Sequence, residues 1–306
     1  MGGEHCDGPL SLDRLGGVRP GRIAVFAGQL SLLPASEQRE VAREMERLGY
    51  GTLWYGEAMG REAFTQAGVF LSATQSIVVA SGIASIYARD PMAMINGGRA
   101  LGEAWPGRFV QGLGVSHAPM VARRGAEYGR PVSTMRDYLD RMDKAPWRGP
   151  DAPAPPRVLA ALGPRMVALA AERTAGAYAY FTTNDHVSAI REAMGPDAFL
   201  AADLPVVLAA ERIAARTVGD RHMKVYLGTA NYRNNLLRLG WAVQDLEPPG
   251  SDALFDAIVA WGGVKEVQDR VQAGFEAGAD QMVLNIVARD PAVPYLDELR
   301  TLGALI

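Results

Sequence analysis

Two residues that could transfer protons stand just after predicted buried strands. Glu57 follows the apolar run TLWY, and its carboxylate could act as a general base or pair with a nearby arginine. His117 ends the segment GLGVSH, and an imidazole can gain or lose a proton near neutral pH. A lone histidine is also explained as a surface or supporting residue. Both side chains are therefore candidate catalytic residues at a bound molecule.

A second set of residues could hold a ligand. In the turn GPR, Gly163 would let a ligand approach the backbone and Pro164 would begin a helix. The free N–H groups of that first helical turn, with Arg165 beside them, could hold a phosphate. The alternative is a glycine-proline turn with a solvated arginine. Gly112 and Gly114 could form a tight turn that exposes the backbone to a flat ligand.

Two further stretches suggest contact with a ligand. The apolar run at residues 77–80 is interrupted by Ser81, Gly82 and Ile83, which predicts an irregular corner at the end of a strand. A long loop at residues 116–131 carries the arginines Arg123, Arg124 and Arg130. These arginines could be a solvated surface or could bind an acidic tail at the mouth of a site.

The elements that must position these residues alternate between apolar strands and amphipathic helices. Eight runs have the length and apolar character of buried strands, namely residues 22–27, 52–55, 77–80, 108–113, 158–162, 176–181, 204–208 and 281–287. This alternation predicts an α/β fold, a (β/α)8 TIM barrel whose active site lies at the C-terminal ends of the strands. The helical pattern at residues 210–278 is an expected insertion before the last strand. An open doubly wound sheet is disfavoured because no GxGxxG follows the first strand.

The domain organisation that we expect is simple. Residues 1–21 are polar, carry the one cysteine, Cys6, and predict a flexible leader. Residues 22–306 predict a single barrel domain. The proline-rich segment at residues 145–157 is interpreted as a surface connection, because the alternation of strands and helices resumes after it.

Composition and charge exclude several classes of function. The 306 residues include 48% hydrophobic and 21% charged residues with a net charge of -3, and no basic block with interleaved aromatics predicts a nucleic-acid partner. No apolar run approaches the ~18 residues of a membrane span, and the leader lacks the apolar core of a signal peptide, so we expect a cytoplasmic protein. No HExxH, GxSxG or spaced metal-ligand set supports a hydrolase or metalloenzyme.

The segments after the strands, taken in order, resemble the luciferase-like monooxygenase superfamily, and in particular its actinobacterial branch of F420-dependent oxidoreductases. The resemblance covers about residue 22 to the C-terminus. It is carried by LWYGEAMGREAF (53–64), VVASGIASIYARDP (78–91), GRFVQGLGVSHAP (107–119), RPVSTMRDYL (130–139), LAALGPRM (159–166), NYRNNLLRLGW (231–241) and EAGADQMVLNIV (276–287).

The resemblance implies a (β/α)8 barrel, usually a homodimer, that binds FMN or the deazaflavin F420 at its C-terminal face. It implies a non-proline cis peptide behind the flavin ring at Ser81 and Gly82, and a phosphate site at residues 163–165. Glu57 matches the acidic residue after the second strand. Several F420-dependent relatives have a histidine and a glutamate where this chain has Ala58 and Val115, so their proton-transfer residues do not carry over and His117 is only a local substitute.

The function that we expect is an F420-dependent oxidoreductase, with the acidic tail of F420 at Arg123 and Arg124 and a small organic substrate. The alternatives are an FMN-dependent monooxygenase and a non-catalytic flavin-binding barrel. The substrate pocket is expected to be aromatic, lined by residues such as Trp54, Tyr55, Tyr87 and Tyr232.

Overall fold

A computed structural model of the chain describes residues 14–306, and Cys6 lies outside them. The described part contains ten strands, each parallel to its neighbours. They are β1 (Ile23–Phe26), β2 (Thr52–Tyr55), β3 (Val78–Ser81), β4 (Ala84–Ser85), β5 (Phe109–Gly114), β6 (Arg157–Ala160), β7 (Gly176–Ala179), β8 (Phe199–Leu208), β9 (Ala260–Gly262) and β10 (Gln281–Ile286).

Eight of these strands close into a barrel, which confirms the predicted fold. The order is β1, β2, β3, β5, β6, β7, β8 and β10, and the sheet closes because β10 pairs with both β8 and β1. In register, Met282 lies opposite Ala202 on one side and Ile23 on the other. The short strands β4 and β9 pair only with β5 and β8.

The strands form where apolar residues are buried on both faces, as a parallel sheet covered by helices requires. Strand β8 is longer than the predicted run at 204–208, because Phe199 to Asp203 also join the ladder. That part of the strand contains two alanines and an aspartate, residues with low strand preference, so local pattern did not reveal it.

Twelve helices surround the barrel in the described residues. They are α1 (Ala35–Arg47), α2 (Ala63–Leu71), α3 (Pro91–Ala104), α4 (Ala118–Arg123), α5 (Pro131–Asp143), α6 (Pro164–Arg173), α7 (Asn184–Met194), α8 (Arg212–Leu227), α9 (Ala230–Arg238), α10 (Asp252–Ile258), α11 (Val264–Glu276) and α12 (Leu296–Leu302). None of them is both long and apolar enough to cross a membrane.

The segment before the last strand is largely helical, as predicted. Its helices α8, α9 and α10 bury a cluster that includes Met223, Leu236 and Phe255 against Val207 of β8. Strand β9 interrupts the segment at residues 260–262, where the sequence pattern indicated only a break between helices. The insertion therefore has its own small core beside the end of the barrel.

Residues 14–21, the described part of the predicted leader, pack at the N-terminal ends of the strands. Leu15 and Val18 are buried in a cluster with Ala24 and Val283. Arg14 forms an ion pair with Asp280 at 2.6 Å. These contacts cover one end of the barrel, and the candidate site lies at the other.

Candidate active site

A cavity of about 720 Å³ opens at the C-terminal ends of the strands. This volume falls within the usual range for cofactor and substrate sites. Its walls come from the ends of β1, β2, β3, β6 and β7, from the start of α4 with the loop on either side, and from the insertion. The lining residues are Phe26, Gly56, Glu57, Ala58, Gly82, Ile83, Ser116, His117, Ala118, Pro119, Met120, Tyr128, Ala160, Tyr178, Tyr180, Val225, Tyr226, Gly228, Thr229, Ala230, Asn231 and Tyr232.

The corner after β3 forms one wall of this cavity. A non-proline cis peptide bond joins Gly82 to Ile83, one residue later than the expected position at Ser81 and Gly82. Gly82 and Ile83 line the cavity, whereas Ser81 is fully buried. The Ser81 hydroxyl lies 2.9 Å from both the N and the O of Gly112, so this side chain ties β3 to β5.

Gly112 and Gly114 of β5 lie within the barrel wall and away from the cavity lining. A Cβ on Gly112 would stand 1.8 Å from the Ser81 carbonyl oxygen, and one on Gly114 would stand 2.3 Å from the Ile83 side chain. Both glycines are buried. They allow β5 to pass close to the β3 corner, and this close approach replaces the predicted exposure of backbone to a ligand.

Glu57 lines the cavity, but its carboxylate is already bound. Its oxygens accept hydrogen bonds from Ala63 N at 3.1 Å and Ser85 N at 2.8 Å, and they form an ion pair with Arg89. The side chain is only 3% exposed. Of the two alternatives from the sequence, this geometry corresponds to pairing with an arginine.

His117 reaches the cavity from the residue before α4. Burial lowers the pKa of its imidazole, while a hydrogen bond to Asn231 raises it. Its ring centroid lies 5.7 Å from that of Tyr232, which also lines the cavity. The imidazole is therefore held neutral beside an aromatic wall, where it can donate or accept one hydrogen bond.

The GPR turn stands at the N-terminus of α6, as the sequence predicted. Gly163 precedes the helix and no side chain caps its first turn. Pro164 has no N–H and Met166 N donates to the Gly163 carbonyl at 3.0 Å, so the Arg165 N–H is the free donor of that turn. Arg165 is exposed, whereas a Cβ on Gly163 would lie 3.7 Å from the guanidinium of Arg238. The helix N-terminus and Arg238 together form a site that favours an anion.

A network of polar side chains holds Arg238 at this turn. Its guanidinium donates to Asn235 Oδ1 and to the Leu162 carbonyl, at 3.4 Å for the latter. His186 Nε2 donates to the same carbonyl at 2.9 Å, and Asn235 Nδ2 donates to His186 Nδ1 at 3.0 Å. Burial lowers the pKa of His186 to about 4, so the ring is neutral. Sequence reasoning missed Arg238.

A second pocket of about 360 Å³ lies beside the cavity and shares Glu57, Ala58 and Met120 with it. Four arginines and two glutamates line this pocket: Arg61, Arg89, Arg123, Arg124, Glu57 and Glu62. Arg89 pairs with both glutamates. Among the described residues, the other three arginines have no carboxylate partner, so the pocket carries excess positive charge. Arg130 precedes α5 and does not line it.

A buried carboxyl group lies beneath the cavity and was not singled out from the sequence. Burial raises the pKa of Asp203 to about 8, although hydrogen bonds from Phe181 N, Asn285 and Tyr178 act in the opposite direction. Asn285 in turn contacts Tyr180 on the cavity wall. The available signal was an acidic residue within an apolar strand, which is rarely buried without partners.

The aromatic residues expected in the pocket divide into two groups. Tyr232 lines the cavity. Trp54 is fully buried and stacks on Tyr178, and Tyr55 donates to the Ala63 carbonyl at 2.7 Å. Tyr87 packs against Tyr128. The cavity is aromatic through other residues, namely Phe26, Tyr128, Tyr178, Tyr180 and Tyr226.

Comparison with known proteins indicates one family. A family model described as luciferase-like monooxygenase matches residues 15–281. A Mycobacterium tuberculosis protein, named provisionally as a coenzyme F420-dependent oxidoreductase, is 27% identical over 121 residues, 39% of this chain and 35% of that protein. This match spans about a third of the relative's length.

Solved structures share the fold at low identity. The coenzyme F420-dependent tetrahydromethanopterin reductase of Methanopyrus kandleri has a TM-score of 0.74 at 12% identity, with 94% and 99% of the two chains covered. The oxygenating constituent of 3,6-diketocamphane monooxygenase from a Pseudomonas putida plasmid, in complex with FMN, gives 0.70 at 15%, covering 92% and 95%. An F420-dependent secondary alcohol dehydrogenase gives 0.66 at 14%, covering 94% and 98%.

Proposed function

This chain belongs to the luciferase-like monooxygenase family, and we propose that it is an F420-dependent oxidoreductase acting on a small organic substrate. When bound, the deazaflavin ring would give or take a hydride, which is chemistry that no side chain supplies. The residues of this chain would bind the cofactor, orient it against the substrate and exclude water.

The dimensions and donors of the site fit a flavin-type cofactor. The cavity has the volume of a cofactor site, and Gly82 and Ile83 form part of a wall on which a flat ring could rest. At Gly163 the backbone is open beside Arg238, with no Cβ to fill the space. We assign the cofactor phosphate to residues 163–165, with Arg238 as its main cationic partner and Arg165 at its edge.

One observation supports F420 over FMN, namely the arginine-rich pocket beside the cavity. F420 carries an acidic lactyl-glutamyl tail that FMN lacks. Arg61, Arg123 and Arg124 have no carboxylate partner among residues 14–306, and Glu57 and Glu62 are balanced in part by Arg89. An acidic tail in this pocket would neutralise the excess positive charge.

The contacts of His117 and Glu57 suggest different functions for these two cavity residues. We assign His117 to proton transfer or substrate orientation, since its neutral ring lines the cavity. We assign Glu57 to positioning: its carboxylate holds Ser85 N, Ala63 N and Arg89, which fixes the β3 corner against the start of α2.

The second candidate is an FMN-dependent monooxygenase. It is favoured by the anion site at Gly163 and Arg238, which would suit the phosphate of FMN equally well. A structural relative is also in complex with FMN. A non-catalytic flavin-binding barrel is the third.

The direct test is to identify the retained cofactor. The purified protein is incubated with extract of F420-producing cells, and the small molecule that stays bound is identified by mass spectrometry. We expect F420. Retention of FMN would favour the monooxygenase, and cofactor binding without turnover with any reductant would favour the non-catalytic barrel.

A further inference from the structure

A hydrogen-bonded series of four side chains runs from a buried carboxyl group to the cavity wall. The hydroxyl oxygens of Tyr180 and Tyr226 lie 2.7 Å apart, and both residues line the cavity. Asn285 Nδ2 lies 2.8 Å from the Tyr180 hydroxyl and 3.1 Å from Asp203 Oδ1. Asp203 and Asn285 are buried.

The donors and acceptors of this network can be assigned from the Asn285 amide. Its Nδ2 carries two hydrogens, and it faces two oxygens that can accept them, Tyr180 Oη and Asp203 Oδ1. With the carboxyl proton on Asp203 Oδ2, Oδ1 is an acceptor, and the reversed amide would put a second acceptor oxygen 3.1 Å from it. Asp203 Oδ1 is an acceptor for Tyr178 as well, at 3.4 Å. The network therefore assigns Nδ2 to this position.

The same reasoning assigns the donor between the hydroxyl groups of Tyr180 and Tyr226. Because Tyr180 Oη accepts from Asn285, its own hydrogen needs a separate acceptor. The Tyr226 oxygen, 2.7 Å away, is its acceptor within residues 14–306. A chain in which each hydroxyl accepts one hydrogen bond and donates the next is strengthened cooperatively, whereas donation from Tyr226 would make the Tyr180 oxygen a double acceptor. Tyr180 therefore donates to Tyr226, and the Tyr226 hydrogen remains available to the cavity.

We propose that the Tyr226 hydroxyl is a hydrogen-bond donor that recognises an acceptor oxygen of the substrate, such as a carbonyl, and that Asn285, held by Asp203, fixes its direction through Tyr180. This deepens the proposed function and rests on it. A donor that faces a largely apolar cavity favours ligands that carry an acceptor oxygen, because a ligand without the oxygen leaves the donor unpaired. Tyr226 is thus a substrate-contacting residue and Asn285 a positioning residue.

The test compares two ligands of nearly the same shape. Acetophenone carries a carbonyl where α-methylstyrene carries a terminal alkene, and the affinity of each is measured by calorimetry for the F420-loaded protein. We expect acetophenone to bind about threefold to tenfold more tightly, the range for one net hydrogen bond. Equal affinity, or no detectable binding of either ligand, would overturn the proposal.

The carbonyl stretching frequency of ¹³C-labelled acetophenone separates a direct contact from a structural effect. We expect a lower frequency in wild-type protein than in Tyr226→Phe, because a donated hydrogen bond weakens the carbonyl bond. Tyr128→Phe is the matched control: it removes a cavity hydroxyl that already faces the Ser116 carbonyl at 3.3 Å. Its frequency should equal that of the wild type. An unchanged frequency in Tyr226→Phe contradicts the contact.

The positioning role is tested with Asn285→Leu, which lies outside the cavity lining. Without the amide, Tyr180 can accept from Tyr226, so the frequency should lie between those of wild type and Tyr226→Phe. A wild-type frequency in a folded Asn285→Leu protein contradicts the role of Asn285. If that variant does not fold, the Tyr226→Phe comparison still decides the contact. Both measurements are repeated without F420, so failure to bind F420 is recorded separately from failure of the tyrosine contact.

Discussion

Arg238 of α9 lies against Gly163 at the start of α6, with its guanidinium 3.7 Å from the position of a Cβ on that glycine. The two residues are separated by 75 positions in the chain. The insertion before the last barrel strand therefore supplies a cation to a helix N-terminus of the barrel itself. This pairing is the basis for placing the cofactor phosphate here.

Removing that cation should weaken cofactor binding. Arg238→Ala is expected to make the free energy of cofactor binding less favourable by about 1.5–3 kcal/mol, the range for a hydrogen bond to a charged group. Arg165→Ala should have a smaller effect, because the Arg165 side chain is exposed. Both affinities are measured by fluorescence titration, with thermal melting as a check on folding. A larger loss for Arg165→Ala would make Arg165 the phosphate residue.

Replacing the imidazole in the cavity should affect turnover more than cofactor binding. His117→Ala is expected to lower kcat by roughly 10²-fold, the usual contribution of a positioned proton donor or acceptor, with cofactor affinity nearly unchanged. The measurement is steady-state kinetics alongside a cofactor titration. Full activity in this variant would return His117 to the role of a surface or supporting residue.

The buried carboxyl group should make stability depend on pH. Asp203 has a pKa of about 8 in the folded protein and an ordinary value of 3.8, so between these values the folded state binds the extra proton. Stability from this group is complete below pH 4 and is lost as pH rises towards 8, at about 1.4 kcal/mol per pH unit.

The comparison that isolates this effect is with Asp203→Asn, which cannot ionise. Urea unfolding at pH 5, 6 and 7 should show the free energy of unfolding of wild type falling relative to that of the variant at each step. Parallel pH profiles for the two proteins would mean that Asp203 titrates in the folded state much as it does in the unfolded chain.

Two glycines should respond to alanine in opposite directions. Gly112→Ala would place a methyl group 1.8 Å from the Ser81 carbonyl oxygen, so β3 and β5 must separate, at a cost of about 1–3 kcal/mol or more. Gly68 lies in α2 with open space around its Cβ position, and Gly68→Ala should stabilise by roughly 0.5–1 kcal/mol. Chemical denaturation measures both. Equal effects would contradict the close approach of β3 and β5.

The barrel could be predicted because its signal is local. Each strand is a short apolar run and each helix an amphipathic stretch, and eight alternations identify the closed sheet. The segments after the strands were found for the same reason. Gly163 and His117 could be selected without knowledge of distant contacts, because the end of each strand can be recognised in the sequence.

The partners of these residues depend on tertiary contacts that no local pattern specifies. Asn231, Asn235 and Arg238 recur at helical spacing, which indicates a shared face of α9 but not what that face meets. The pairing of Glu57 with Arg89 has the same origin, as does the tie between Ser81 and Gly112. The alternation of side chains along a strand could suggest the face of β8 on which Asp203 lies. Its neighbours Tyr178 and Asn285 come from other strands, so the sequence pattern does not specify them.

The cofactor that we propose is F420, with its acidic tail bound in the arginine-rich pocket. A fluorescence titration with F420 and with FMN, at low and at raised ionic strength, tests it most directly. The proteins compared are wild type, Arg123→Ala with Arg124→Ala, and the control Arg130→Ala, whose side chain lies outside the pocket.

Screening shortens the reach of charge to about 8 Å at physiological salt, so tail binding should weaken as salt is added. We predict that wild type and the control bind F420 more tightly than FMN. The difference between the two affinities should be smaller in the double variant, and smaller at raised salt. Tighter binding of FMN, or an F420 affinity indifferent to the arginines and to salt, would contradict the claim.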